Sequence, residues 1–227
     1  GLLGVGHEGQ SGGKMIEFSE NTIMIGVGDF AEWGYGEDRF TSIETSLGKA
    51  ILIDTKLQTS EVYASGLRNP QGLVKYKEYI IETEHGPEGG DEINFLKRNL
   101  DYGWPYVTYG AKYNEPNPDE THLTKFGSNH HGYEKPIYTF IPSIGIKAIE
   151  RMPYTQTEFP KWSDNFFICS TRGIFRTEIA TYNQRLVYSH KIADRKTFEN
   201  YKKVVPQCRD LQITRSGIII TNSGNVI

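Results

Sequence analysis

A recurring unit narrows the folds open to this chain more than any other feature. Four stretches, "SGGKMIEFSENTIMIGVGD", "RNPQGLVKYKEYIIETEHGP", "IGIKAIERMPYTQTEFPKWSDNFFICSTRG" and "CRDLQITRSGIIITNSGN", share one grammar. Each has a glycine or Arg-Asn/Asp corner, an alternating strand, a polar turn and a strongly apolar strand ending in Gly, Asp, Ser or Asn. Each therefore reads as a β-hairpin. The hairpins start near residues 12, 69, 145 and 209, and further strands such as "KAILIDTK", "SEVYAS", "IFRTEIA" and "RLVYSHKI" fall between them. A spacing of about 55 to 75 residues with extra strands inside it is the rhythm of four-stranded blades around an axis, longer than WD40 blades and nearer the kelch length. A β-sandwich would space its strands evenly at about 8 to 12 residues, without that longer period.

The expected fold is thus an all-β propeller, one domain over residues 1–227. Composition agrees: 24 Gly, 10 Pro and 14 Tyr in 227 residues suit short strands joined by many turns. Between Lys97 and Gly132 the periodicity lapses into a long segment rich in Tyr, Asn, Pro and Gly, read as a rim loop insert. Loops longer than about 15 residues in a compact domain are usually functional or disordered, and the aromatic content argues for order.

A net charge of −3 provides no basic field to gather phosphates, so nucleic acid is not an expected partner. No apolar run approaches the roughly 20 residues that cross a bilayer, so no membrane span is expected. The glycines of "GVGDFAEWGYGED" lack the strand-to-helix context of a phosphate loop. Cys169 and Cys208 sit in no CxxC spacing. They could face each other between neighbouring strands or stand apart as two buried thiols, and the sequence leaves both open.

In a propeller the inner strand of each blade lines the central channel and the loops of one rim build the site. His7, Asp29, Arg68, Asn69, the Gly86-Pro87 step, Thr171, Arg172 and Arg209 all stand at such corners. Of the acidic run, Glu82, Glu84, Glu88 and Asp91 would, as charge runs usually are, be a solvated rim. His130 and His131 read as exposed loop residues, with no third ligand at zinc spacing.

"RNPQGL", "EHGPEGGDEIN", "NLDYGWPYVTYGAKY", "PIYTFIPSIG", "FPKWSDNFFICS" and "CRDL", in that order, resemble the glucose/sorbosone dehydrogenase family, the soluble quinoproteins that oxidise aldose sugars with pyrroloquinoline quinone (PQQ). The resemblance implies a six-bladed propeller of which about four blades or more are represented here, with the N-terminal part lacking. It also implies oxidation of the anomeric hydroxyl of an aldose to a lactone, PQQ and calcium as cofactors, an external electron acceptor, and a periplasmic or secreted protein.

Residue by residue, the resemblance assigns calcium beneath the quinone to the carbonyls of Gly86 and Pro87, and a structural calcium to Glu92 and the Tyr102 carbonyl. Hard divalent cations take such oxygen ligands. It assigns the quinone edge to Arg68, Asn69 and Arg209, the base to His7, and a neighbouring acid to Asp29. A base titrating near neutrality suits removal of the hydroxyl proton. The chain departs from the family where a cofactor-binding lysine becomes Thr171, where an arginine becomes Gln207, and where a tryptophan becomes Phe140. Arg172 stands next to Thr171, although strand alternation directs it to the other face. The rival expectation is a non-catalytic calcium-binding propeller for carbohydrate or protein recognition.

Overall fold

The computed structural model describes residues 9–30, 45–111, 129–155, 158–194, 208–215 and 217–221. Within them the chain forms β-sheets arranged as successive blades, and each anticipated hairpin opens one. The first sheet has the order β1(Gly12–Ser19), β2(Thr22–Val27), β3(Lys49–Asp54), β4(Thr59–Ser65) and β8(Leu100–Asp101). The second comprises β5(Pro70–Tyr76), β6(Tyr79–Glu84), β7(Asp91–Leu96) and β9(Tyr138–Phe140). The third comprises β10(Ile146–Arg151), β11(Phe166–Ser170), β12(Gly173–Ala180) and β13(Arg185–Ala193), and the fourth is the pair β14(Asp210–Thr214) and β15(Gly217–Thr221). All ladders are antiparallel except β4 with β8.

The first strands of the sheets, β1, β5, β10 and β14, lie against one another in succession and form the inner layer. This is the β-propeller that the repeat predicts. Three apolar cores fill the gaps between neighbouring blades. Met24, Leu52, Leu67, Leu73 and Ile80 join the first to the second. Ile81, Ile93, Phe95, Ile149, Phe166 and Ile168 join the second to the third. Met152, Phe167, Ile174 and Leu211 join the third to the fourth. Cys169 and Cys208 lie in that last core and are joined as a disulfide, which decides between the two readings that the sequence left open.

Period-2 alternation explains the division. On β6 and β7, Ile81, Thr83, Ile93 and Phe95 take one face, and Ile80, Glu82, Glu84, Glu92, Asn94 and Leu96 take the other. Both faces are covered because a blade has neighbours on both sides, so every residue of β7 is buried. The segment after Lys97 is only partly a rim loop. Leu100–Asp101 adds a strand to the first blade, and Tyr102, Trp104, Val107 and Thr108 are buried. His130, expected in solvent, is buried and stacked on Tyr109 at 4.7 Å, while His131 is exposed.

Candidate active-site rim

One rim gathers most of the residues singled out from the sequence. It is built where the inner strands begin and where β6 turns into β7. Main-chain bonds tie the corners together: Asp29 N donates to Arg68 O at 2.8 Å, and His85 N donates to Asn69 O at 3.2 Å. Thr171 N donates to Gly145 O at 3.0 Å.

Arg68 is the hub. Its Nη1 donates to the carbonyls of His85 (3.0 Å) and Gly86 (2.9 Å), and its guanidinium lies 5.3 Å from the centre of the Trp104 ring. Trp104 Nε1 donates to Asp29 Oδ2 at 2.9 Å. With the Gln10 amide oriented to suit both neighbours, its nitrogen donates to Asp29 Oδ1 at 2.7 Å and its oxygen accepts from Arg68 Nη2 at 3.0 Å. Asp29, wholly buried, therefore holds Gln10 and Trp104 around the guanidinium. Asn69 Oδ1 accepts from Gly12 N (3.2 Å) and Gln71 Nε2 (2.9 Å), linking the first and second blades.

Arg68 also lines a small, water-sized cavity together with, among others, Gly86, Pro87, Glu84, Glu92, Tyr102 and Thr108. Of the carboxylates expected at a solvated rim, Glu82, Glu84 and Asp91 are buried and Glu88 is exposed; Glu92, the candidate ligand, is buried with them. Glu84 stands directly across the ladder from Glu92, and Glu82 from Asn94. A cross-strand pair of like charges is destabilising even at a surface.

One amide serves two of these acids. Asn94 Nδ2 donates to Glu82 Oε2 (3.1 Å) and Glu84 Oε1 (3.4 Å), while Glu84 Oε2 accepts from the N–H groups of Arg68 (2.6 Å) and Asn69 (3.1 Å). Burial pushes Glu82 and Glu92 well above the usual carboxylate range, each raised further by Glu84. Burial also lifts Glu84 to about 7, against the pull of the Arg68 and Asn69 N–H groups and the Arg68 charge.

These features fit a hard cation. Buried carboxylates without a counter-charge are costly, and Glu82 Oε1 and Asn94 Oδ1 are buried acceptors without a partner. Gly86 admits no side chain, since an added Cβ would stand 1.8 Å from Gly90 O. Its carbonyl already accepts from Arg68, which leaves it a second lone pair, while that of Pro87 accepts from Gly90 N (3.1 Å) and, at the longer 3.4 Å, from Ser143 Oγ, the bond a cation there would replace. The Tyr102 side chain is structural, with its hydroxyl donating to Phe95 O and accepting from Lys97 N. Among the described residues no three His, Cys, Asp or Glu side chains converge as a ready-made metal site, so a cation here would lean on main-chain oxygens as well.

Thr171 and Arg172 form the two-residue loop between β11 and β12. Thr171 Oγ1 donates to Ile144 O at 2.9 Å, and Arg172 is exposed. Arg209 is exposed just before β14, close enough to His85 and Lys147 for its charge to depress both. His7 and Gln207 lie outside the described residues. Sequence reasoning missed Gln10, His85 and Lys147. The signal for His85 was its place inside "EHGP"; for Lys147 it was a lysine at an alternating position of an inner strand.

These features define a β-propeller with a cluster of buried polar and charged groups gathered at one rim. The chain matches the family model described as Glucose / Sorbosone dehydrogenase over residues 4–222 and belongs to that family. Aldose sugar dehydrogenase YliI of Escherichia coli is 32% identical over 111 residues, which is 48% of this chain and 28% of that protein. The apo-form crystal structure of the E. coli aldose sugar dehydrogenase superposes with a TM-score of 0.75 at 20% identity, covering 92% of this chain and 60% of that one. The PQQ-bound aldose sugar dehydrogenase of Streptomyces coelicolor gives 0.59 at 15% identity, covering 89% and 52%. The chain spans less than two thirds of the length of each of these proteins.

Proposed function

We propose that the chain is the cofactor-carrying portion of a quinoprotein that oxidises the anomeric hydroxyl of an aldose to a lactone, using PQQ and calcium. The observation that carries this reading is the small cavity lined by Arg68, where the Gly86 and Pro87 main chain meets two buried, mutually repelling carboxylates. Family membership supports it, as does the PQQ-bound relative of the same fold. The quinone, when bound, supplies the acceptor for the hydride that leaves the sugar's anomeric carbon.

The chain's own residues have the following parts. Arg68 and Asn69 bind and orient the quinone edge, and Arg209 adds positive charge from the fourth blade. Gly86 and Pro87 offer carbonyl oxygens to calcium, and Glu92 with the Tyr102 carbonyl holds a structural calcium. His7 takes the proton of the anomeric hydroxyl. Asp29 acts at one remove, fixing Gln10, three residues after His7, and Trp104 beside Arg68. An external acceptor collects the electrons. The Cys169–Cys208 disulfide suits an oxidising compartment, and the protein is assigned to the periplasm or outside the cell.

A second reading, a calcium-dependent recognition propeller without quinone chemistry, is favoured by Thr171, whose hydroxyl is committed to Ile144 O. One experiment separates the two. The purified chain is incubated with PQQ and calcium, binding is followed by absorbance, and dye reduction is assayed with glucose and other aldoses. Binding with turnover supports the dehydrogenase. Calcium binding without either supports the recognition module. His7→Ala should abolish turnover and spare quinone binding, and loss of binding would overturn its assignment as base.

A further inference from the structure

The rim carries a cation that none of the assignments above uses. Lys147 lies on the inner strand β10, two residues after Gly145, and a Cβ added at Gly145 would touch Thr171 Oγ1. Its main chain is pinned to the second blade, where Thr83 Oγ1 donates to Lys147 O at 2.8 Å. Its half-buried side chain runs to His85, with Nζ 2.9 Å from His85 Nε2.

An ammonium has donors and no acceptor, so Lys147 is the donor and His85 Nε2 the acceptor, which leaves the Nδ1 proton facing Asp91 Oδ1 at 3.8 Å. Asp91 is itself fixed, because its Oδ2 accepts from Ile144 N (3.0 Å) and Ile146 N (2.9 Å). The line Asp91, His85, Lys147 thus aims one ammonium.

That ammonium uses one of its three donors on a neutral ring and forms no ion pair with a carboxylate among the described residues. Arg209 adds a second positive charge nearby. Holding cations together in a partly desolvated place is unfavourable unless an anion joins them.

We propose that Lys147 binds a carboxylate of the planar polycarboxylate cofactor, supplying from β10 the positive charge that the chain lacks at Thr171. This rests on the reading of the rim as a quinone site. Lys147 reaches that rim through His85, the residue that directly precedes Gly86. Thr171 and Arg172 do not supply the charge, one being neutral and tied to main chain, the other exposed at the hairpin tip.

The test measures dissociation constants for PQQ and for benzene-1,2,4-tricarboxylate, an aromatic tricarboxylate without a quinone, in calcium, for the full chain and its variants. Lys147→Met should weaken PQQ binding about 10- to 100-fold, the range of a lost charge-assisted hydrogen bond. Lys147→Arg should keep it within about threefold, and adding Thr171→Lys to Lys147→Met should restore most of it. Equal PQQ affinity in wild type and Lys147→Met, with both folded by near-UV circular dichroism, overturns the proposal and leaves the quinone reading intact. Tricarboxylate bound through Lys147 but no PQQ bound upholds the anion site and overturns the quinone reading. Binding of neither overturns both.

Discussion

Replacing Glu84 with glutamine tests the central physical claim about the rim, that it holds carboxylates too buried to carry charge without a cation. The amide keeps an oxygen for the N–H groups of Arg68 and Asn69 but cannot ionise. A carboxyl that titrates at about 7 rather than the ordinary 4.5 holds its proton more tightly in the fold than in the unfolded chain. At about 1.4 kcal/mol per pH unit, the difference is about 3 kcal/mol. Below pH 4.5 both states are protonated and the group is neutral to stability. From 4.5 to 7 the fold retains a proton that the unfolded chain releases, so calcium-free stability falls as pH rises, and above 7 the cost is complete.

His85 has the opposite sign: its depressed value means stability is lost as pH falls from 6.5 toward 3. The comparison is therefore made as a difference between variant and wild type, in which His85 is common to both. Urea unfolding in chelator at intervals from pH 4 to 8.5 should show Glu84→Gln gaining about 3 kcal/mol on the wild type between pH 4.5 and 7, then a plateau. Saturating calcium should restore the wild type at pH 8 and remove most of that gain. A difference flat across this range would refute the claim that Glu84 is desolvated and only partly compensated by Arg68 and Asn69. A slope that survives calcium would place the cation away from Glu84.

Three further outcomes follow from packing. Reducing the Cys169–Cys208 disulfide, which closes a loop of sequence separation 39, should lower stability by about 4 kcal/mol on a chain-entropy account, measured by urea unfolding with and without reductant. Gly86→Ala should destabilise by about 3 kcal/mol and abolish the calcium-induced rise in melting temperature, because the added methyl would stand 1.8 Å from Gly90 O. Gly9→Ala, whose methyl meets nothing within 4 Å, is the control. Phe166→Ala, emptying a fully buried site in the core between the second and third blades, should cost about 3–5 kcal/mol in the same unfolding assay.

The sequence alone determined the blades. Alternating apolar positions, polar turns and a long repeat state which residues form a strand and which share a face, because side-chain direction along a strand has a period of two. They placed β1, β5, β10 and β14 where the structure has them, and put Asp29, Arg68, Asn69 and Thr171 at corners of one rim. Tertiary structure decided what covers each face. Nothing in a period of two says that the side of β6 and β7 bearing Glu82, Glu84, Glu92 and Asn94 packs against the neighbouring blade instead of facing water. That burial turns an ordinary acidic run into a candidate cation site. Contacts made between blades or across the rim were illegible for the same reason: Trp104 with Asp29, Lys147 with His85, and the pairing of Cys169 with Cys208. Each joins residues 39 to 75 positions apart, a proximity set by how the sheets fan around the axis and not by any local pattern in the chain.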